Sequence, residues 1–97
     1  MKELAKLALI LKSLGLKAEL LDDRDWETDY NMVSVWVDLG KGANMSVWYY
    51  DKDNDFAPGM YEVHLNKGEE CIYDTLLLGD MLAVVTEIGK RAAKYGK

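Results

Sequence analysis

The chain is poor in cysteine and proline and has no long apolar run, and each of these features argues against a class of protein. Its 97 residues include one cysteine and one proline, and none of its apolar runs approaches the about 20 residues of a membrane helix. Cys71 has no second cysteine for an internal disulfide, which favours a reducing compartment. The first apolar stretch is interrupted by Lys6 and Lys12 and lacks a small-residue cleavage site, so no signal peptide is predicted. We therefore expect a cytoplasmic protein without a membrane segment.

Motifs for common chemistries are also missing. The sequence contains no phosphate-binding loop, no dinucleotide fingerprint, no CxxC pair and no HExxH zinc motif. We accordingly expect no cofactor and no catalytic activity. Hydrophobic residues make up 49% and charged residues 30%, a composition typical of one globular domain that spans residues 1–97.

Charge is distributed unevenly along the chain. The net charge is −5, but residues 1–17 carry 4 − 1 = +3 and residues 89–97 carry +4. Everything between them carries 4 − 16 = −12. A surface this acidic repels phosphate backbones, which argues against nucleic acid as its partner. It suits a basic protein surface, or it serves only to keep the protein in solution.

Hydrophobic periodicity predicts a helix at each end of the chain. Leucines at helical spacing predict a first helix over 2–14, with Leu14 on its apolar face and Gly15 at its end. Residues 75–95 predict the last helix. Val35 of the sheet and Leu82 of this helix are expected in the core.

Alternating residues between the helices predict strands over 30–39, 44–51 and 60–66. Shorter strands are predicted over 16–21 and near 70–73. The fold class is therefore α+β: a two-layer sandwich with an antiparallel meander of four or five strands and both helices on one face. The opposite face is left to solvent or to a partner.

That outer face is predicted to be aromatic, which is unusual for a solvated surface. Tyr30, Met32 and Trp36 alternate with the valines of one strand. A three-residue connection after that strand would place Trp48 and Tyr50 beside Trp36, whereas a two- or four-residue connection would turn Val47 and Tyr49 outward instead. Tryptophan and tyrosine dominate interface hot spots, so this face is the candidate partner-binding surface. The alternative is a second small core formed when the loop around Trp26 folds over the face.

Two acidic loops border the predicted outer face and would steer a basic partner toward it. Their candidate residues are Asp22, Asp23, Asp25, Asp51, Asp53 and Asp55. The second loop, with Glu62, also has the acid spacing of a calcium loop. However, Phe56 stands where that loop needs glycine, and Pro58 lies within it, so solvated acids are the simpler interpretation and no metal is expected.

A cysteine–histidine pair is the only candidate for catalysis. If Lys67-Gly68 is a two-residue turn, residue 66 pairs with residue 69 and His64 faces Cys71 across two strands. Such a pair can activate a thiolate, but the sequence offers no oxyanion-hole motif, and packing is the usual role of such residues.

Together these features favour a small, non-catalytic protein-binding module. Small acidic domains of similar shape include immunity proteins and phage-encoded inhibitors, and this likeness is one of shape and charge only. The alternatives are a homo-oligomeric structural protein, such as a dimer, that uses the same face, and a thiol- and histidine-dependent enzyme.

Overall fold

A computed structural model describes residues 2–22, 33–50, 52–53, 55–68 and 70–95. Five strands form one antiparallel sheet in which the spatial order equals the chain order. The two helices pack against this sheet, which confirms the predicted α+β two-layer sandwich. The elements are α1 Lys2–Ser13, β1 Lys17–Asp22, β2 Val33–Gly40, β3 Ala43–Tyr49, β4 Tyr61–Lys67, β5 Glu70–Leu78 and α2 Met81–Tyr95.

Helix α1 ends where a glycine can adopt a left-handed conformation. Gly15 has φ of 86°, and its N–H donates to the carbonyl of Lys12 at 3.0 Å. The N–H of Leu16 donates to the carbonyl of Leu11 at 3.0 Å. These two bonds form a Schellman motif, which satisfies carbonyls that the helix leaves unpaired. Leu14 is 61% exposed, so its predicted place on the apolar face is wrong.

Helix α2 starts six residues later than the sequence pattern predicts. Asp80 caps it, because its Oδ1 atom accepts a hydrogen bond of 2.7 Å from the N–H of Ala83. Residues 75–78 belong to β5, so the predicted helix start is wrong. In the helix as it forms, Val84 and Ile88 face the core, whereas Leu82 is 76% exposed. Leu82 is therefore not a core residue.

The core lies between the helices and the inner face of the sheet. Strand β2 alternates strictly between buried and half-buried side chains, as expected when one face is covered. Val35 is fully buried, as predicted. The fully buried larger side chains are Leu4, Leu7, Leu11, Val33, Val35, Val37, Met45, Val47, Val63, Leu65, Val84 and Ile88.

The register between β2 and β3 decides which aromatic residues lie outside. Val35 pairs with Val47, and the turn uses positive φ at Gly40, Lys41 and Gly42. This is the register of the three-residue connection, so Val47 and Tyr49 are buried beneath the helices.

The turn between β4 and β5 lies one residue later than predicted, so the pairing of the two strands shifts by two residues. Lys67 pairs with Glu70, whereas the prediction paired residue 66 with residue 69. Two further register shifts follow, on either side of Leu65. Within the described part of the chain, neither helix is both long and apolar enough to cross a membrane.

Candidate functional site: the outer face of the sheet

The outer face carries a row of side chains that crosses four strands. Direct cross-strand partners share a face of the sheet, and here Glu19 pairs with Trp36, Trp36 with Ser46, and Ser46 with His64. Ser46 is the smallest of these, and it separates two rings that stand two strand spacings, or about 10 Å, apart. The row therefore has a shallow depression, or low point, at Ser46, with the rings of Trp36 and His64 on either side.

Glu62 lies in the next row, where its strand partner is Trp48. Its carboxylate is held by two different neighbours. The Tyr50 hydroxyl donates to Oε1 at 2.6 Å, and Nε2 of His64 lies 2.7 Å from Oε2. A carboxylate has about four lone-pair positions, so two acceptor positions remain for another group. The two hydrogen bonds fix the carboxylate in place before any partner arrives.

The same contacts govern how Glu62 and Tyr50 titrate. Partial burial raises the pKa of the Glu62 carboxyl, but the hydrogen bonds from His64 and Tyr50 and the attraction of His64 outweigh it, so the pKa lies below 4.5. The hydrogen bond to Glu62 raises the pKa of Tyr50, with burial and the charge of Glu62 adding to it. Glu62 is therefore charged, and Tyr50 protonated, at neutral pH.

Aromatic rings surround this carboxylate. The rings of Trp48 and His64 meet edge to face, with centroids 4.9 Å apart. On the other side, the ring of Tyr50 meets Phe56 at 5.7 Å, also edge to face. Phe56 is 70% exposed, so the aromatic surface extends from the strands into the loop before β4. We call this the aromatic–acidic surface, and its members are Trp36, Trp48, Tyr50, Phe56, Glu62 and His64.

The strands that carry this surface are acidic on their outer side. Among the described strand residues there, Glu19, Asp38 and Glu62 are acids and Lys17 is the base, which gives 1 − 3 = −2. One of these acids already accepts a hydrogen bond within the turn that follows its strand: Oδ1 of Asp38 accepts from the N–H of Gly40 at 2.8 Å. The face therefore favours a cationic ligand.

The structure brings three of the predicted partner-binding residues together. Trp36, Trp48 and Tyr50 share the outer face, and all three are half-buried, so the surface is less exposed than the sequence pattern indicates. Asp53 and Asp55 are exposed in the loop between β3 and β4. Asp22 is the last residue of β1, where it pairs with Val33. Five predicted residues lie outside the described part of the chain: Tyr30, Met32, Asp23, Asp25 and Asp51.

The predicted pairing of His64 with Cys71 is wrong. Cys71 pairs with Asn66, because the hairpin turn is displaced by one residue. Glu62 pairs with Leu77. His64 instead uses its Nε2 atom for Glu62 on its own strand. The geometric basis for a thiol–imidazole pair is therefore lost.

The calcium hypothesis finds no cluster to support it in the described residues. No group of three His, Cys, Asp or Glu side chains is arranged there as metal ligands. Asp51, the first acid of the proposed loop, lies outside those residues. Glu62, its last acid, is bound to Tyr50 and His64.

The sequence pattern did not identify Glu62, His64 and Phe56 as parts of this surface. Glu62 and His64 are two residues apart on one strand, a spacing that places them on the same face. That signal could have been found. Their proximity to Trp48 and Tyr50 could not, because it depends on the register of β3 against β4 across a long loop.

The fold and the surface define a two-layer α+β domain with an aromatic, acidic outer sheet face. Comparison of the chain with protein-family models, with curated proteins and with solved structures finds no match.

Proposed function

We propose that the chain is a non-catalytic protein-binding module that engages a basic surface of another protein through the aromatic–acidic surface. One observation carries the proposal: the Glu62 carboxylate is oriented by Tyr50 and His64 and lies beside Trp48, on the face that the helices leave uncovered. A carboxylate that only served solubility would not need two side-chain partners.

The chemistry of this surface suits an arginine or a lysine of the partner. A guanidinium group can donate to the remaining acceptor positions of Glu62 and lie against the face of a tryptophan ring. Cation–π contacts of this kind contribute about 0.5–1 kcal/mol at exposed sites and more where water is excluded. The low point at Ser46, between Trp36 and His64, leaves room for such a side chain.

Asp53 and Asp55, together with the overall charge of −5, would attract such a partner from a distance. The module would act as an inhibitor or immunity-type protein, phage-encoded inhibitors included, and the cytoplasm is the expected compartment. Self-association through the same surface is the competing interpretation, because the same rings would serve both contacts.

A direct test uses an acetylated hexa-arginine peptide as a probe, with hexa-glutamate as the opposite charge. Tryptophan fluorescence should change on addition of hexa-arginine and not on addition of hexa-glutamate. Binding of hexa-arginine should weaken as salt is added. Glu62→Gln and Trp48→Ala should each reduce affinity about tenfold, the effect of losing about 1.4 kcal/mol.

The matched control is Glu87→Gln, which removes the same charge from helix α2 in the opposite layer. It should bind hexa-arginine almost as well as the wild type. If Glu87→Gln and Glu62→Gln lose the same affinity for hexa-arginine, binding depends only on net charge, and the proposed surface is wrong.

A further inference from the structure

The two hydrogen bonds of Glu62 leave a particular pattern of acceptors on its carboxylate. In the described part of the chain, the Tyr50 hydroxyl donates to Oε1 at 2.6 Å, and Nε2 of His64 lies 2.7 Å from Oε2. A carboxylate offers about four lone-pair positions, two on each oxygen. The two positions that remain are therefore divided between the oxygens, which is what a ligand with two parallel donors requires.

The same two bonds restrict the rotation of the carboxylate. Tyr50 directly follows β3, whereas His64 lies on β4 with Glu62, so the two contacts come from two neighbouring parts of the sheet. A carboxylate that is bound at one oxygen can still turn toward a cation from many directions. One that is bound at both oxygens keeps its plane, and a fixed plane favours a planar ligand whose donors have the matching spacing.

Arginine and lysine differ in how well they match such a carboxylate. The guanidinium group of arginine is planar and can donate two parallel N–H bonds to the two oxygens of one carboxylate. The three donors of a lysine ammonium group diverge from one nitrogen, so it acts as a point charge and gains no second parallel bond. The fixed carboxylate of Glu62 therefore discriminates between two side chains of equal charge.

The surroundings of Glu62 act in the same direction. Its side chain is 18% exposed and that of His64 is 24% exposed, so a cation that binds there gives up part of its hydration. Trp48 is the direct cross-strand partner of Glu62, which places an indole ring beside the carboxylate. A guanidinium group is more weakly hydrated than an ammonium group and stacks on aromatic rings. Both properties favour arginine over lysine at this position.

We infer that the aromatic–acidic surface selects arginine over lysine in its basic partner, with Glu62 accepting two parallel hydrogen bonds from one guanidinium group. The inference rests on the proposed function, because it specifies which basic side chain that surface accepts. Tyr50 and His64 serve as positioning residues that hold the carboxylate plane. The partner is accordingly a protein surface that presents arginine.

Acetylated hexa-arginine and hexa-lysine, which have equal length and charge, test the selectivity. Tryptophan fluorescence titrations give the dissociation constant of each peptide, and wild type should bind hexa-arginine about tenfold more tightly than hexa-lysine. In Glu62→Gln this ratio should fall to about twofold or less, since the amide offers only one acceptor oxygen. Glu87→Gln, on helix α2, should keep the wild-type ratio. A ratio that persists in Glu62→Gln would assign the preference to the rings alone and would overturn the inference.

Tyr50→Phe provides a second test, because it keeps the aromatic ring and removes the hydroxyl that donates to Oε1. The arginine-to-lysine ratio should fall, through weaker binding of hexa-arginine, while the affinity for hexa-lysine changes by less than about twofold. Thermal unfolding checks that the variant is folded. An unchanged ratio in folded Tyr50→Phe would overturn the inference.

The two peptides also separate this inference from the proposed function. If hexa-arginine and hexa-lysine bind wild type equally and both weaken in Glu62→Gln, the selectivity is overturned but the binding surface stands. If neither peptide binds, or if Glu87→Gln weakens binding as much as Glu62→Gln does, the proposed function fails and the inference fails with it.

Discussion

The Nε2 atom of His64 lies 2.7 Å from Oε2 of Glu62, two residues earlier on the same strand. The side chains are 24% and 18% exposed, so water only partly screens the pair. Strand geometry places residues two apart on one face, and Tyr50 from the preceding strand region completes the arrangement through the other carboxylate oxygen. This contact has consequences for the pH dependence of stability.

Replacing Glu62 by Gln should flatten the acid limb of the stability curve. The folded-state pKa of Glu62 lies below its ordinary value of 4.5, so the charged carboxylate stabilises the fold above pH 4.5. That contribution is lost as pH falls through the folded-state pKa. Urea unfolding midpoints from neutral to acidic pH should therefore fall less in Glu62→Gln than in the wild type. Glu70→Gln, an exposed change of the same charge, is the control; parallel curves for wild type and Glu62→Gln would contradict the prediction.

Tyr61 should resist alkaline titration. Burial, followed by the neighbouring Tyr49 and the charges of Glu3 and Asp80, raises its pKa from 10.0 to about 12. The protonated phenol is thus favoured in the folded state, and its contribution to stability is complete below pH 10.0 and is lost as pH rises toward about 12. Tyrosinate absorbance should show a late-titrating group that Tyr61→Phe removes. The same variant should lose less stability in this alkaline range, and an unchanged titration profile would argue against the assignment.

Leu7 and Leu82 form a matched pair of leucines on the two helices. Leu7 is fully buried, so Leu7→Ala should reduce the free energy of unfolding by about 2–5 kcal/mol through lost contacts and a cavity. Leu82 is 76% exposed, and Leu82→Ala should change it by less than about 0.5 kcal/mol. Urea denaturation measures the free energy of unfolding of both variants. Equal decreases in the two variants would show that the buried side of α2 is misassigned.

Two glycines should respond to alanine in opposite directions. Gly15 has φ of 86°, a left-handed conformation that is unfavourable for alanine by about 1–2 kcal/mol, so Gly15→Ala should destabilise the protein. Gly89 lies within α2, and a Cβ atom there meets nothing within 4 Å. Gly89→Ala should stabilise the protein by about 0.5–1 kcal/mol through helix propensity. Melting temperatures that move in the same direction would contradict the role of Gly15 as the end of α1.

Much of the fold could be predicted because the local signals agree with the tertiary structure. The alternating valines of β2 fixed its inner face, and the glycine after α1 fixed the end of that helix. The glycines that flank Lys41 located the following turn. These positions depend only on residues a few places apart, so the sequence pattern contains the information.

The rest depends on contacts that a local pattern does not contain. The run Leu76-Leu77-Leu78 fits both a helix and a buried strand, and the cap at Asp80 decides between them. The bulges around Leu65 shift β5 against β4, and no turn signal announces them. The contact between Tyr50 and Glu62 requires the β3–β4 register, which a loop of this length leaves open.

The chain-order arrangement of the sheet bears on how quickly the native state is reached. Every strand pairs only with its sequence neighbours, and short turns join β2 to β3 and β4 to β5. Ordering these hairpins requires little loop-closure entropy, because short connections join their strands. We expect refolding to be faster than for a sheet of equal size with crossed connections, which stopped-flow fluorescence would record.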